Sequence, residues 1–597
     1  MNVTEPIEDL FGSIADTLSE AVPLAPMTAG QQAAAAGRLL RGLLTSPVTV
    51  ARKTAELGAE LAEIAVGRSD VVPEPGDRRF AHEAWNDNPF YKRLGQSYLA
   101  WRKSVYDLIE EIEPNDTKAQ LRGRFLAALA VEAVAPTNAL LGNPAAMEAA
   151  LNSGGRTLID GARHALWSLR HNGGLPAMVD TRPFVAGETI ATTPGAVVFR
   201  SDVLELIQYT PADKKVHSRP LVIVPPQINK FYILDLAPGR SLVEYAVSRG
   251  QQVFMISWRN PTPEMRSWDL DTYVDAISDA LDAALEITGS ADCNIMGVCA
   301  GGITTASLLG NLAATGDERV NAVTFLVTVL DWDIPSTVAS LTSAPSVAAS
   351  IAQANARGIV DGGELARFFA WMRPNDLVWN YWVNNFLMGK NPPAFDVLAW
   401  NVDSTNLPAG LHEDFTKIAA DNALTKAGEL VVKGDPVDLS HVKMDAYIVG
   451  AETDHITPWQ GCYRTAHLLG GNCEFVLSSS GHVQVMVNPP DNPKARYFTN
   501  PVVGNDAEEW LESATEQKGS WWVHWADWLG QRSGALRNAR QARVRCPPGD
   551  RGRPRHLREG DGLTAARSSS GSAGTSGPPV SVWVGRLCHA ASVRLLR

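Results

Sequence analysis

Short apolar runs bounded by turn signals recur through the middle of the chain. They include Pro220-Leu-Val-Ile-Val-Pro-Pro226, Gln252-Val-Phe-Met-Ile-Ser-Trp258 and the runs at 294–298, 322–330, 446–450 and 474–477. Short apolar runs bounded in this way predict strands buried on both faces of a parallel sheet. Between them, Leu270, Tyr273, Val274, Ile277, Leu281, Ala284 and Leu285 repeat at helical spacing, and Gly289 is placed to end that helix. The alternation predicts an α/β core in two parts, 201–330 and 431–534. The interval 331–430 breaks the rhythm with Trp371, Trp379, Tyr381, Trp382, Phe386, Phe395 and Trp400, and is expected to be an insertion folded as a helical cap. Upstream, the segments 91–109, 119–133 and 145–169 predict a helical N-terminal domain over 77–200. Residues 31–66 read as one or two amphipathic helices closed by the break Pro73-Glu-Pro-Gly76, making 1–76 an extension. Residues 535–597 have few periodic apolar positions and contain Ser568-Ser-Ser-Gly-Ser-Ala-Gly-Thr-Ser-Gly577, so disorder is expected there.

Composition narrows the class. A content of 45% hydrophobic and 20% charged residues is that of a globular chain, and 597 residues allow more than one domain. The six cysteines form no CxxC pair or regular spacing, so neither a zinc site nor a disulfide framework is indicated. The start lacks the basic and apolar regions of a secretory signal, and no apolar run approaches the roughly 18 residues of a transmembrane segment. A cytoplasmic protein is expected. The tail 535–597 carries twelve Arg against three acids (Asp550, Glu559, Asp561), a net +9 that leaves −21 upstream within the total of −12. An acidic body argues against nucleic acid as a partner.

One motif carries chemistry. Gly297-Val-Cys299-Ala-Gly301 closes a strand-like run and opens a helical one, the context of a nucleophile elbow, in which small flanking residues permit a strained turn that projects the nucleophile. At a helix N-terminus the Cys299 thiolate gains from the helix dipole and backbone N–H groups. The chain order nucleophile, acid, histidine in such folds then points to Asp454, beyond the run 446–450, and His482, beyond the run 474–477. His455 is the main rival among twelve histidines, but it precedes the last strand and is out of order. His524, among Trp521, Trp522, Trp525 and Trp528, reads as packing within a terminal helix. An oxyanion would need N–H donors from Ala300 and from the loop 225–230, where Ile228 is the candidate although the sequence leaves the choice within the loop open.

With these residues in place, the chain resembles the polyhydroxyalkanoate synthases of the single-subunit type. The resemblance runs from about 77 to 534 through Asp77-Arg-Arg-Phe-Ala-His-Glu-Ala-Trp85, Val224-Pro-Pro-Gln-Ile-Asn-Lys-Phe-Tyr-Ile-Leu-Asp-Leu236, Gly297-Val-Cys-Ala-Gly-Gly302, Arg373-Pro-Asn-Asp-Leu-Val-Trp-Asn-Tyr381 and Asp454-His-Ile-Thr-Pro-Trp459. It implies an α/β-hydrolase fold, with Cys299, Asp454 and His482 at the catalytic positions. It also implies polymerisation of (R)-3-hydroxyacyl-CoA with release of CoA, no metal or redox cofactor, and a homodimer at the surface of a cytoplasmic polyester granule. Trp400 and Asp403 match a family segment and are carried over as structural.

Two other readings stay open at this point. A thioesterase or depolymerase of the same fold would use the same triad and deliver water instead of a hydroxyl, and a non-catalytic granule-coating protein would need only the amphipathic segment 31–66. The ending also departs from the family, whose members close with a segment near Ala-Pro-Gly-Thr-Tyr-Val. Codons exist for Pro548-Gly-Asp-Arg-Gly-Arg-Pro-Arg-His-Leu-Arg558 that spell Arg-Val-Ile-Glu-Ala-Ala-Pro-Gly-Thr-Tyr-Val when read one nucleotide later. The tail therefore reads as a frameshift product arising near codons 535–547.

Overall fold

A computed structural model describes residues 41–112, 116–341 and 344–539, together with Gly37. The expectations for 31–36 and 38–40 and for the Ser/Gly run lie outside the described residues, as do Cys546 and Cys588.

The chain divides into two compact units, one formed by 1–180 with 366–395 and the other by 181–365 with 396–597. The longer helices of the N-terminal part of the first unit are α1 (Pro47–Val66), α2 (Pro89–Ile112), α3 (Thr117–Ala133), α4 (Pro144–Asn152) and α5 (Arg156–His171). The sequence read 145–169 as one helical segment. It is two, because Gly154 and Gly155 adopt φ of 59° and 84°, a left-handed backbone that stops α4 and starts α5 in a new direction. Glu132 near the end of α3 is buried and accepts hydrogen bonds from Arg79 Nη1 (2.5 Å), Arg102 Nε (2.7 Å), Tyr98 OH (2.9 Å) and Tyr106 OH (3.2 Å). Segment 366–395 contributes Trp371 and Val378, buried against Leu129 and Leu175, and Trp382 Nε1 donates to the carbonyl of Asn138 (3.0 Å). The interval 331–430, expected as one insertion, is thus shared between the units. Most of its aromatic residues belong with the N-terminal helices.

The second unit is built on a ten-stranded mixed sheet. Its strands are β1 (Gly195–Arg200), β2 (Leu204–Tyr209), β4 (Pro220–Val224), β5 (Gln252–Trp258), β6 (Cys293–Val298), β7 (Val320–Leu326), β8 (Asp445–Ala451), β9 (Cys473–Ser478), β10 (Arg496–Thr499) and β11 (Thr515–Lys518), in the order β1-β2-β5-β4-β6-β7-β8-β9-β10-β11. The six strands from β5 to β9 in that order run parallel, and antiparallel strands extend both ends. Each of the six apolar runs lies in one parallel strand. Alternate residues face opposite sides: Val222, Phe254, Ile295, Phe325 and Ile448 enter one core, and Ile223, Met255, Met296, Leu326 and Val449 the other. Both faces are covered by helices, which is why the runs lack polar alternation.

The boundaries differ in three places. β1 occupies 195–200, so the sheet begins inside the stretch expected to be wholly helical. β7 ends at Leu326 and not at 330, because Val327 turns to φ 45°, a conformation no strand accommodates. Leu536–Asn538 form β12, which pairs with β3 (Lys215–His217), so order continues past 535, where disorder was expected.

Four helices matter for the site. α6 (Leu270–Thr288) starts with a capping box of Asp269 and Thr272 and ends at Gly289 in the left-handed conformation, as its periodicity predicts. α7 (Ala300–Thr315) follows β6 directly, α8 (Trp459–Leu468) follows the loop after β8, and α9 (Trp521–Arg532) packs its tryptophans on the opposite face of the sheet from α7.

Candidate active site

Cys299 sits between β6 and α7 with φ 52° and ψ −122°, a strained backbone for a residue with a β-carbon. The turn is held rather than tolerated: Cys299 N–H donates to Leu326 O (2.9 Å), and Cys299 O accepts from Gly302 N–H (2.9 Å) and Thr328 Oγ1 (3.3 Å). Its neighbours must be glycine because other backbone passes too close. A β-carbon at Gly301 would lie 2.5 Å from the carbonyl oxygens of both Val224 and Pro225, and one at Gly297 would lie 2.7 Å from the Gly302 Cα. Cys299 thereby stands at the carboxyl end of the sheet, half-buried, at the N-terminus of a sixteen-residue helix.

The loops after β8 and β9 bring Asp454 and His482 to the same end. His482 Nδ1 lies 2.6 Å from Asp454 Oδ2, with both side chains buried. Asp454 is fixed by its own turn, in which Oδ1 accepts the N–H groups of Ile456 (2.8 Å) and Thr457 (2.9 Å) while Oδ2 accepts Thr457 Oγ1 (2.6 Å). The Thr457 hydroxyl also lies 3.0 Å from His482 Nδ1. The His482 loop is buttressed from below, where Trp521 Nε1 of α9 donates to Val485 O (3.1 Å).

The electrostatics follow from this packing. Burial raises the Asp454 pKa, but the His482 charge and the hydrogen bonds from His482 and Thr457 outweigh it, and the net shift is downward. Burial alone would lower His482, yet the Asp454 carboxylate and the negative charge of an ionised Cys299 together carry it well above the usual imidazole range. The ring is thus bonded to the carboxylate through Nδ1 and has the Cys299 side chain within hydrogen-bonding reach. Cys462 of α8 is also close, but burial and the charges of Asp454 and Cys299 push its thiol well up, and it is no rival nucleophile.

Of the competing histidines, His455 is half-buried in the same loop, while the imidazole bonded to Asp454 is that of His482. His524 bonds Tyr447 OH through Nδ1 (2.8 Å) and approaches Glu474 through Nε2 (3.3 Å), away from the cysteine loop. Ala300 is the first residue of α7, so its N–H is among those that no helical carbonyl serves. The loop 225–230 lies on the first turn of that helix, where Gln227 Nε2 donates to Thr304 Oγ1 (3.0 Å). Trp400 Nε1 donates to Lys230 O at the end of this loop (2.8 Å), and Asp403 accepts from Tyr232 OH in the helical turn that follows it (2.7 Å).

Sequence reasoning missed Thr457, whose signal was present: an Asp followed three residues later by Thr, just before a helix, is an Asx turn in waiting. It also missed Thr405, whose contact with Gln227 spans 178 residues and leaves no local trace.

Residues 76–246 match the family described as poly-beta-hydroxybutyrate polymerase (PhaC) N-terminus, and residues 220–489 match the alpha/beta hydrolase fold. The chain is 49% identical over 503 residues to poly(3-hydroxyalkanoate) polymerase 1 of Ectopseudomonas oleovorans, covering 84% of this chain and 89% of that one. Polymerase 2 of the same organism is 48% identical over 501 residues, with the same coverage. The poly(3-hydroxyalkanoate) polymerase subunit PhaC of Cupriavidus necator is 38% identical over 502 residues, covering 81% of this chain and 84% of that one.

Proposed function

This chain belongs to the poly(3-hydroxyalkanoate) polymerase family, and from that membership we propose that it polymerises (R)-3-hydroxyacyl-CoA through an acyl thioester on Cys299. The observation that carries the chemistry is the strained elbow of Cys299 facing the His482–Asp454 pair. His482 takes the thiol proton, the sulfur attacks the thioester carbonyl of the substrate, and the tetrahedral oxyanion collapses to expel the CoA thiolate, which recovers that proton from His482. One thioester bond forms and one breaks, so the exchange needs no external energy source. In elongation a 3-hydroxyl attacks an acyl thioester, an ester bond replaces a thioester bond, and His482 accepts the hydroxyl proton and passes it to the departing sulfur. The hydroxyl is far less acidic than a thiol. A base raised by a buried carboxylate suits that step.

Association with a polyester granule and assembly as a homodimer extend this reading from the family resemblance. Among the described residues no helix is long and apolar enough to cross a membrane.

The test is Cys299→Ala, expected to abolish CoA release, beside Cys299→Ser, expected to be severely impaired because a hydroxyl needs a stronger base. Mass spectrometry of the unsubstituted protein after one turnover should place the acyl group on Cys299. Substantial turnover by the alanine variant would remove the assignment, and free hydroxy acid without polymer would favour a hydrolase.

A further inference from the structure

The loop 225–230 is held by a strap of chain that arrives from far away in sequence. Thr405 is almost fully buried and binds the loop twice, its N–H donating to Ile228 O (3.1 Å) and its Oγ1 to Gln227 O (2.8 Å). Ser404 forms a bridge with Asn229, and Trp400 holds Lys230 O. Three carbonyl groups of the loop therefore point towards the strap. In a trans peptide the carbonyl and the following N–H point in opposite directions, so anchoring Gln227 O fixes the direction of the Ile228 N–H, away from Thr405. That N–H donates no hydrogen bond among the described residues. The loop itself rests on the first turn of α7, where Gly301 leaves no room for a β-carbon against Val224 O and Pro225 O and where Gln227 Nε2 reaches Thr304.

We propose that Thr405 is a positioning residue for acyl transfer: its hydroxyl sets the peptide plane of Gln227–Ile228 so that the Ile228 N–H completes, with the Ala300 N–H, the donor pair for the oxyanion formed at Cys299. The proposal rests on the acyl-cysteine reading above and assigns the second donor that the sequence left open. Thr405 touches no reacting atom. Its hydroxyl acts by preventing the peptide from rotating as charge develops, which is where a preorganised donor gains its effect.

The experiment compares Thr405→Val, which keeps the shape and removes the hydroxyl, with Thr405→Ser, which keeps the hydroxyl. Two reactions of Cys299 are followed in each full-length protein. CoA release in the first turnover with 3-hydroxybutyryl-CoA passes through an oxyanion, whereas alkylation by iodoacetamide is a displacement at carbon and does not. Because the donor is misaimed and not deleted, the valine variant should lose about tenfold in first-turnover CoA release, below the 10²–10³ typical of a lost donor. It should alkylate at the rate of the unsubstituted protein, and serine should restore CoA release to within about threefold. Equal losses in both reactions, or no loss in either, would overturn the proposal. So would a valine variant too unstable to assay whose serine counterpart, though folded, is as slow in CoA release as Thr405→Ala. A failure of the unsubstituted protein to acylate Cys299 at all would bring down the cysteine reading and this one with it, and is distinguished by occurring without any substitution.

Discussion

At the residue scale, the Asp454 carboxylate is shared. Its Oδ2 accepts both His482 Nδ1 and Thr457 Oγ1 at 2.6 Å, so the hydroxyl draws off charge that the imidazole would otherwise receive. Replacing Thr457 by valine removes that competitor. The His482 imidazolium is then better stabilised, and the ascending limb of kcat/KM against pH should move upward by about half to one pH unit, given that one unit corresponds to about 1.4 kcal/mol. A profile that does not move would show that the hydroxyl only shapes the turn. Cys299, Asp454 and His482 were legible because each sits just past an apolar run and in a fixed chain order, both visible in one dimension. Ile228 could be named only as one of several loop residues, since the direction of an N–H is a property of a peptide plane, and here that plane is set by Thr405.

At the element scale, Glu132 joins α3 to α2 and to the turn carrying Arg79. Burial favours its neutral form, but Arg79 and Arg102 dominate and hold its carboxyl down at about 2, against 4.5 in an unstructured chain. The folded value lies below the unfolded one, so this group stabilises the unit above pH 4.5, and the contribution is lost as pH falls towards 2. The shift corresponds to about 3 kcal/mol at neutral pH. Glu132→Gln should lower thermal stability at pH 7 by about that order, because Arg79 and Arg102 lose the buried carboxylate they share and keep only Asp77 and Glu74, and should flatten the acid limb of stability against pH. An unchanged melting temperature at pH 7 would show that the arginines find other partners. The same scale explains which elements the sequence revealed. The six parallel strands read clearly because their central positions are mostly apolar on both faces, with residues such as Gln252, Asn294, Asp445 and Glu474 confined near their ends, whereas β1, β10 and β11 carry polar residues such as Arg200, Arg496 and Glu516 and sit towards the ends of the sheet, where one-dimensional pattern fades.

At the scale of the whole molecule, the end of the described residues has a position that can be cut. β12 pairs with β3, the carbonyl of Gly534 bonds His217 Nδ1 (3.0 Å), and Ala539 N–H donates to Lys214 O (2.8 Å). Deleting 540–597 should leave CoA release within about twofold of the full chain, while deleting 535–597 removes a strand pairing and should cost about 1–3 kcal/mol in stability as well. Equal behaviour of the two truncations in thermal unfolding would show that β12 contributes nothing. A strong loss on the shorter deletion would give the basic tail a function, and a coding sequence without the alternative ending would dismiss the frameshift.

The division of the chain has a consequence for its synthesis. Residues 1–180 leave the ribosome first, yet Trp371 and Val378, buried against Leu129 and Leu175, are translated 191 and 198 residues after that stretch ends. At about 5–20 residues per second the N-terminal helices wait roughly 10–40 s for the segment that closes their core. During that interval apolar side chains meant for Trp371 are open to any partner in the cell. Production of this protein should therefore depend on chaperone supply and elongation speed more than its final stability would suggest.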